Sequence, residues 1–222
     1  MRSVLSLALV AAASAIAVPA QAQDTGIAAG DWLVRLRGIM VSPTEKAGPI
    51  TPGVPTGSVS VDDGYMPEVD FTYMATDNVG FELIASTTKH NINGTGAISG
   101  LGKVGSTWAL PPTLTVQYHF MPKAHVRPYV GAGINYTIFH SSKTSDSLNN
   151  ALGKTTLKLD DSFGYALQAG VDVDVTPKVF LNLDVKYIDI DTTARLKTGA
   201  ATNKIDVSLD PFVFGAGVGF RF

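Results

Sequence analysis

The chain ends "FVFGAGVGFRF" (212–222). Phe212, Phe214, Val218, Phe220 and Phe222 share one phase of a two-residue period, and Gly215, Gly217, Gly219 and Arg221 share the other. That period belongs to a β-strand, with one greasy face and one nearly bare face. On a solvated outer surface three alternate glycines would only weaken the strand. Against a crowded interior they make room, and an eight-stranded barrel has space inside for little beyond side chains. The greasy face therefore turns outward, toward lipid.

Seven segments upstream repeat the alternation. Strands are predicted over Asp31–Ser42, Gly64–Thr76 and from Val79 past Ser86. Others follow over "TLTVQYHF" (113–120), "RPYVGAGINYTIFH" (127–140), a run near Phe163–Asp174 and a run from Val179 past Tyr187. Soluble strands average about 5–6 residues, whereas a tilted membrane-spanning strand needs about 9–11; these runs sit near the longer figure. Short turns (Ala75–Asn78, Met121–Val126, Thr176–Lys178) alternate with long segments (Pro43–Asp62, Asn91–Leu110, Ser141–Asp160, Asp191–Ile205) read as loops. "TSDSLNNAL" (144–152) within them can make one or two helical turns. This asymmetry is that of outer-membrane barrels, short turns periplasmic and long loops outside. In lipid every backbone amide needs a partner, and a closed sheet supplies one without edges. The expected fold is all-β: an eight-stranded antiparallel transmembrane up-and-down barrel. Tyr118, Phe120, Tyr136, Tyr165, Tyr187, Trp32 and Trp108 are candidates for its interfacial aromatic girdles.

The first residues, "MRSVLSLALVAAASAIAVPAQA" (1–22), carry one early base, an apolar run and a small-residue end. That is a secretory signal peptide, leaving residues 23–222 as the barrel domain. Among 222 residues there is no cysteine, which excludes disulfides and thiolate chemistry. The net charge of −2 offers no basic surface for nucleic acid. The four histidines (His90, His119, His125, His140) lack metal-ligand spacing. Asp189 and Asp191 lack that of a calcium loop. His140 beside Ser141 and Ser142 lacks an orienting acid, so no catalytic residue, metal or cofactor is expected.

"FTYMATDNVGFELIA" (71–85), "LPPTLTVQYHF" (110–120), "RPYVGAGINYT" (127–137), "YIDIDTTA" (187–194) and "LDPFVFGAGVGFRF" (209–222) closely resemble the OmpW (outer membrane protein W) family. The resemblance covers nearly the whole mature chain. It implies a narrow, apolar channel open to the exterior that passes small hydrophobic molecules across the outer membrane. It also implies that Ile84 constricts the channel, and that Phe163 holds a channel position usually occupied by tryptophan. Alternation points Phe163 outward, so a bulge would be needed to turn it in.

With the short turns periplasmic, inward residues sort by height. Toward the outside lie the channel-lining Ile39, Met66, Ile84, Phe139, Ile188 and Val213, with Pro211 near the rim; Phe163 joins this channel-lining set only as the family resemblance implies. Below them Arg35, Arg37, Asp70, Glu82, Gln117, His119, Asp172, Asp174, Asp184, Lys186 and Arg221 form a polar plug. An apolar solute entering the funnel meets charge below it. Sideways release into the membrane follows, with Pro111-Pro112 weakening local strand pairing. The expected partners are outer-membrane lipid and lipopolysaccharide, small hydrophobic solutes, and the barrel assembly machinery, which would read Phe220 and Phe222 as a C-terminal signal. Lys143, Lys154, Arg195 and Lys197 are the bases that could meet lipopolysaccharide phosphates. The barrel is expected to be a monomer. The alternative is a structural or receptor barrel recognised through its loops, without transport.

Overall fold

The computed structural model describes residues 26–222, so the expected signal peptide lies outside the described residues. Eight strands form the barrel: β1 (Trp32–Ser42), β2 (Gly64–Met74), β3 (Val79–Ser86), β4 (Thr113–His119), β5 (Val126–Thr144), β6 (Ser162–Asp174), β7 (Val179–Ile188) and β8 (Phe212–Arg221). Each pairs antiparallel with its chain neighbours. The cylinder closes where β8 meets β1, with Val34 opposite Phe220 and Arg35 opposite Gly219.

The two-residue period sets the faces. On β7, Leu183 is 59% exposed, and its neighbour Asp184 is only 6% exposed. Leu36, Phe71, Phe81, Leu114, Val116, Val130, Ile134, Leu167, Leu181 and Phe214 are likewise exposed, and this band is the surface that lipid covers. Aromatic side chains ring it at both ends. Near the short turns, Trp32 lies 5.2 Å from Tyr73 and Tyr118 lies 5.3 Å from Phe120. At the far end Tyr165, Tyr187 and Phe212 stand in a row, with centroids 5.9 and 5.5 Å apart. Trp108 lies beyond that ring, stacked on His140. Two of the short turns use one device: Thr76 Oγ1 accepts from the Asn78 and Val79 N–H groups, and Thr176 Oγ1 from those of Lys178 and Val179.

The four long segments read as loops are largely strand. Gly57–Val61, Thr88–Gly96, Lys103–Leu110 and the outer part of β5 carry one side of the wall upward. Thr155–Leu159, Asp191–Thr198, Ala201–Ser208 and Lys46–Ala47 form a second sheet opposite. The alternation continues there. Ile92, Val104, Ala109, Leu159, Ala194, Ile205 and Val207 turn inward and are buried. Their outward neighbours meet water instead of lipid and are mostly polar, among them Asn91, Asn93, Lys158, Thr193, Lys204 and Asp206, so the sequence reads as polar loop. Asp146–Leu152 is helical, capped by Ser145 Oγ, which accepts the Leu148 N–H at 3.2 Å.

Candidate solute channel

Inside, the barrel has three levels. At the periplasmic end Ile27, Leu33, Met74 and Phe180 form a small apolar cap. Ile27 is drawn in because its N–H donates to the Pro122 carbonyl at 2.7 Å. Phe180 needs bare backbone beside it: a Cβ on Gly219 would run into its ring.

Above the cap lies the charged plug. Arg35 holds Asp172 at 3.0 Å, Asp70 at 3.1 Å and Thr72 Oγ1 at 2.8 Å. Its guanidinium also sits 5.2 Å from the Tyr129 ring and 5.6 Å from Phe180. Arg37 reaches Glu68 and Asn182 at 3.0 Å, as well as Asp70. Lys186 bridges Glu68 at 2.8 Å and Asp184 at 2.7 Å. Glu82 Oε2 accepts from Thr115 and Gln168. His119 Nε2 pairs with Gln117 Oε1 at 3.1 Å, and Asp174 pairs with Arg127. All these plug residues are buried. A buried charge is tolerable only when paired and hydrogen-bonded, and here strands from every side of the barrel supply the partners.

Glu68, Arg127, Tyr129 and Asn182 belong to this network although they were not among the expected site residues. Each stands in the inward phase of its own strand. Glu68 is two residues from Asp70, and Arg127 and Tyr129 precede the inward Gly131. Arg221 departs from expectation. It is half-buried at the periplasmic edge and donates to the Pro177 carbonyl in the last short turn. Its phase is inward, but the barrel ends beneath it, so it closes the rim.

Above the plug is an apolar cavity of about 90 Å³. One water needs about 10–15 Å³ of such space, so the cavity is several waters in size. Glu68, Lys186, Ile84 and Thr113 contribute to its lining where the plug ends; Ile39, Phe139, Ile188, Pro211 and Val213 line the wall. Higher up the two extracellular sheets add Val59, Ile92, Val104, Leu157, Leu159, Ala194, Ile205 and Val207. Ile98 packs against apolar clusters on both sheets. Ile84 is 3% exposed, and the next inward residue on its strand is Glu82, so it marks the boundary between oil and charge.

Two expected lining residues sit elsewhere. Phe163 is 70% exposed on the outer surface: the β5–β6 ladder runs unbroken from Ser162 opposite Thr137 to Val173 opposite Val126, with no bulge to turn it in. Met66 is half-buried, packed on the Ile39–Val213 cluster from a shallow outer groove, and does not line the cavity.

The wall is incompletely hydrogen-bonded beside the cavity. Between β3 and β4 the ladder runs up to Ile84 opposite Thr113 and resumes only at Thr88 opposite Ala109. Pro111 and Pro112 fall in that interval and have no N–H to give. On the other flank of β3 the ladder stops at Glu68 opposite Ser86 and resumes at Val61 opposite Ile92. Ser86, Thr88 and Pro111 line the cavity there.

Above the membrane, Arg195 holds Asp160 in an ion pair that keeps this carboxyl below the usual carboxylate range. Among the described residues no group of three or more His, Asp or Glu side chains could hold a metal ion. His140 stacks on Trp108 and its Nδ1 lies 3.2 Å from the exposed Ser141 Oγ, with no carboxylate among the described residues bonded to the ring, and Ser142 is hydrogen-bonded to Thr107.

A closed barrel with an oily band between two aromatic rings and its ionic groups sealed inside is an outer-membrane β-barrel. The OmpW family model matches residues 28–222, and the chain belongs to the OmpW family. It is 42% identical over 195 residues to outer membrane protein W of Escherichia coli (strain K12), covering 87% of this chain and 89% of that protein. It is 29% identical over 172 residues to the dibenzothiophene metabolism operon protein PahQ of Pseudomonas aeruginosa, covering 76% of this chain and 77% of that one. The crystal structure of OprG from Pseudomonas aeruginosa matches with a TM-score of 0.83 at 32% identity, covering 89% of this chain and 98% of that one. The protein resides in the outer membrane and is not an enzyme.

Proposed function

We propose that this barrel admits small hydrophobic molecules from outside and releases them sideways into the membrane. The observation that carries the reading is the change of character at Ile84, with an apolar cavity above it and a plug of buried ion pairs below. A solute burying 100 Å² of apolar surface gains roughly 2.5 kcal/mol on entering the cavity, at about 25 cal/mol per Å². Passing further would break buried ion pairs, at a cost of about 3–5 kcal/mol for each partner displaced. The unpaired interval beside Pro111-Pro112 offers another route. It lies level with the upper aromatic ring, where the Tyr136 N–H donates to the Pro112 carbonyl. One relative is named as a protein of a dibenzothiophene metabolism operon, and dibenzothiophene is an apolar sulfur heterocycle of the kind proposed here.

The test is uptake of dibenzothiophene by liposomes carrying the mature protein. Uptake is expected to rise several-fold over protein-free liposomes and to fall back in Ile84→Trp, which fills the cavity floor. Equal uptake with and without protein would leave a barrel that serves structure or recognition alone.

A further inference from the structure

We propose that the outward face of the extracellular sheet Thr155–Leu159, Asp191–Thr198 and Ala201–Ser208 is a docking surface for the phosphorylated saccharide of outer-leaflet lipopolysaccharide. The register sets three cations side by side: Lys158 opposite Arg195, and Arg195 opposite Lys204. Like charges directly opposed destabilise a sheet, so this row costs stability unless an anion lies over it. Asp160, paired with Arg195, and Asp206, two residues from Lys204 on the same strand, neutralise only part of it. Lys158 and Lys204, and Lys197 two residues along on the same face, are exposed and have no ion-pair partner among the described residues.

Height identifies the anion. The row stands on continuations of the strands that carry Tyr165, Tyr187 and Phe212, which mark the outer edge of the hydrocarbon. Arg195 follows Tyr187 by eight residues. At about 3.3 Å per residue and a tilt near 40°, it stands roughly 20 Å above that edge. The headgroup layer of an ordinary phospholipid is only about 5–8 Å thick. Its phosphate cannot reach the row, whereas phosphates on the core saccharide of a lipopolysaccharide can. Guanidinium and ammonium groups are the natural partners of such phosphates.

The test is direct binding to the detergent-solubilised mature protein. One titrant is lipopolysaccharide with a phosphorylated core; the other is a heptoseless form with only lipid A and its first acidic sugars. The full-core form is expected to bind at least tenfold more tightly, with a preference that shrinks as salt rises. In K158Q/R195Q/K204Q the preference should vanish while heptoseless binding stays unchanged; K158R/K204R should keep it. Equal binding of the two forms by the wild-type protein, which depends on no variant folding, would overturn the proposal. So would a preference surviving in the folded glutamine triple variant.

Discussion

Arg35 and Asp172 lie 137 residues apart in the chain and meet across the lumen in a two-pronged ion pair, Nε to Oδ1 at 3.3 Å and Nη2 to Oδ2 at 3.0 Å. Arg35 also serves Asp70 and Thr72 and stands over two aromatic rings. Removing it leaves acids buried without their base. Arg35→Met is therefore expected to destabilise the barrel by about 3–5 kcal/mol. Reversible urea unfolding in lipid vesicles would measure this, with a lowered midpoint. An unchanged midpoint would mean that the plug is loosely paired and wet.

Gly219 and Phe180 make a second test of interior crowding. Gly219 faces the Phe180 ring so closely that a methyl group there must displace it. Gly219→Ala is expected to cost about 1–3 kcal/mol through overpacking. Combined with Phe180→Leu, the penalty should be less than additive, because the two changes share one space. Additive losses in the same unfolding assay would separate the two residues.

The extracellular ion pair between Asp160 and Arg195 makes a pH statement. Arg195 holds the Asp160 carboxyl below its ordinary range, so the folded state binds this proton less readily than the unfolded chain. The contribution to stability is complete above the unfolded value, about 3.9, and is lost as pH falls through the lower folded value. An NMR titration of the Asp160 side chain should give an apparent pKa below that reference, and Arg195→Gln should raise it toward that reference, with Lys158 and Lys204 still holding it down. The pair is exposed, so the effect on overall stability is small.

Alternation alone placed most of these residues. It put Asp184 inside and Leu183 outside, and it grouped Arg35, Asp70 and Asp172 on inward faces without any knowledge of register. It also pointed Phe163 outward; the family likeness drew it inward, and the unbroken β5–β6 ladder sides with the alternation. What failed to carry was position along the barrel axis. Arg221 has the correct phase but stands where the wall ends. The extracellular strands failed for a solvent reason. Once the outer face meets water, Lys158, Thr193 and Lys204 are ordinary there, and a strand with small inward residues such as Ala194 reads as a loop. The partners within the plug depend on which strands face each other across the lumen, and that relationship is absent from any one segment.

The last expectation concerns the interval between Ile84–Thr113 and Thr88–Ala109. If solutes leave there, restoring backbone donors should seal it. Pro111→Thr with Pro112→Val supplies one N–H toward this seam and one toward β5, where the Pro112 carbonyl already accepts from Tyr136, with β-branched side chains suited to a continuous strand. The ladder would then run through from Ile84 to Thr88, and the barrel should be at least as stable, since proline is what interrupts it. Solute uptake should nevertheless fall toward that of protein-free liposomes while the cavity still binds ligand, a loss of release with retained occupancy. Dibenzothiophene quenching of a fluorophore at the cavity mouth reads the occupancy, and transfer into the vesicle bilayer reads the release. Ile84→Trp should remove both signals and the proline variant only the second. Unimpaired transfer in the proline variant would move the exit away from this seam and toward the plug. There the same assay in Arg35→Met would show faster passage to the interior, because the ion pairs that bar the axial route would be gone.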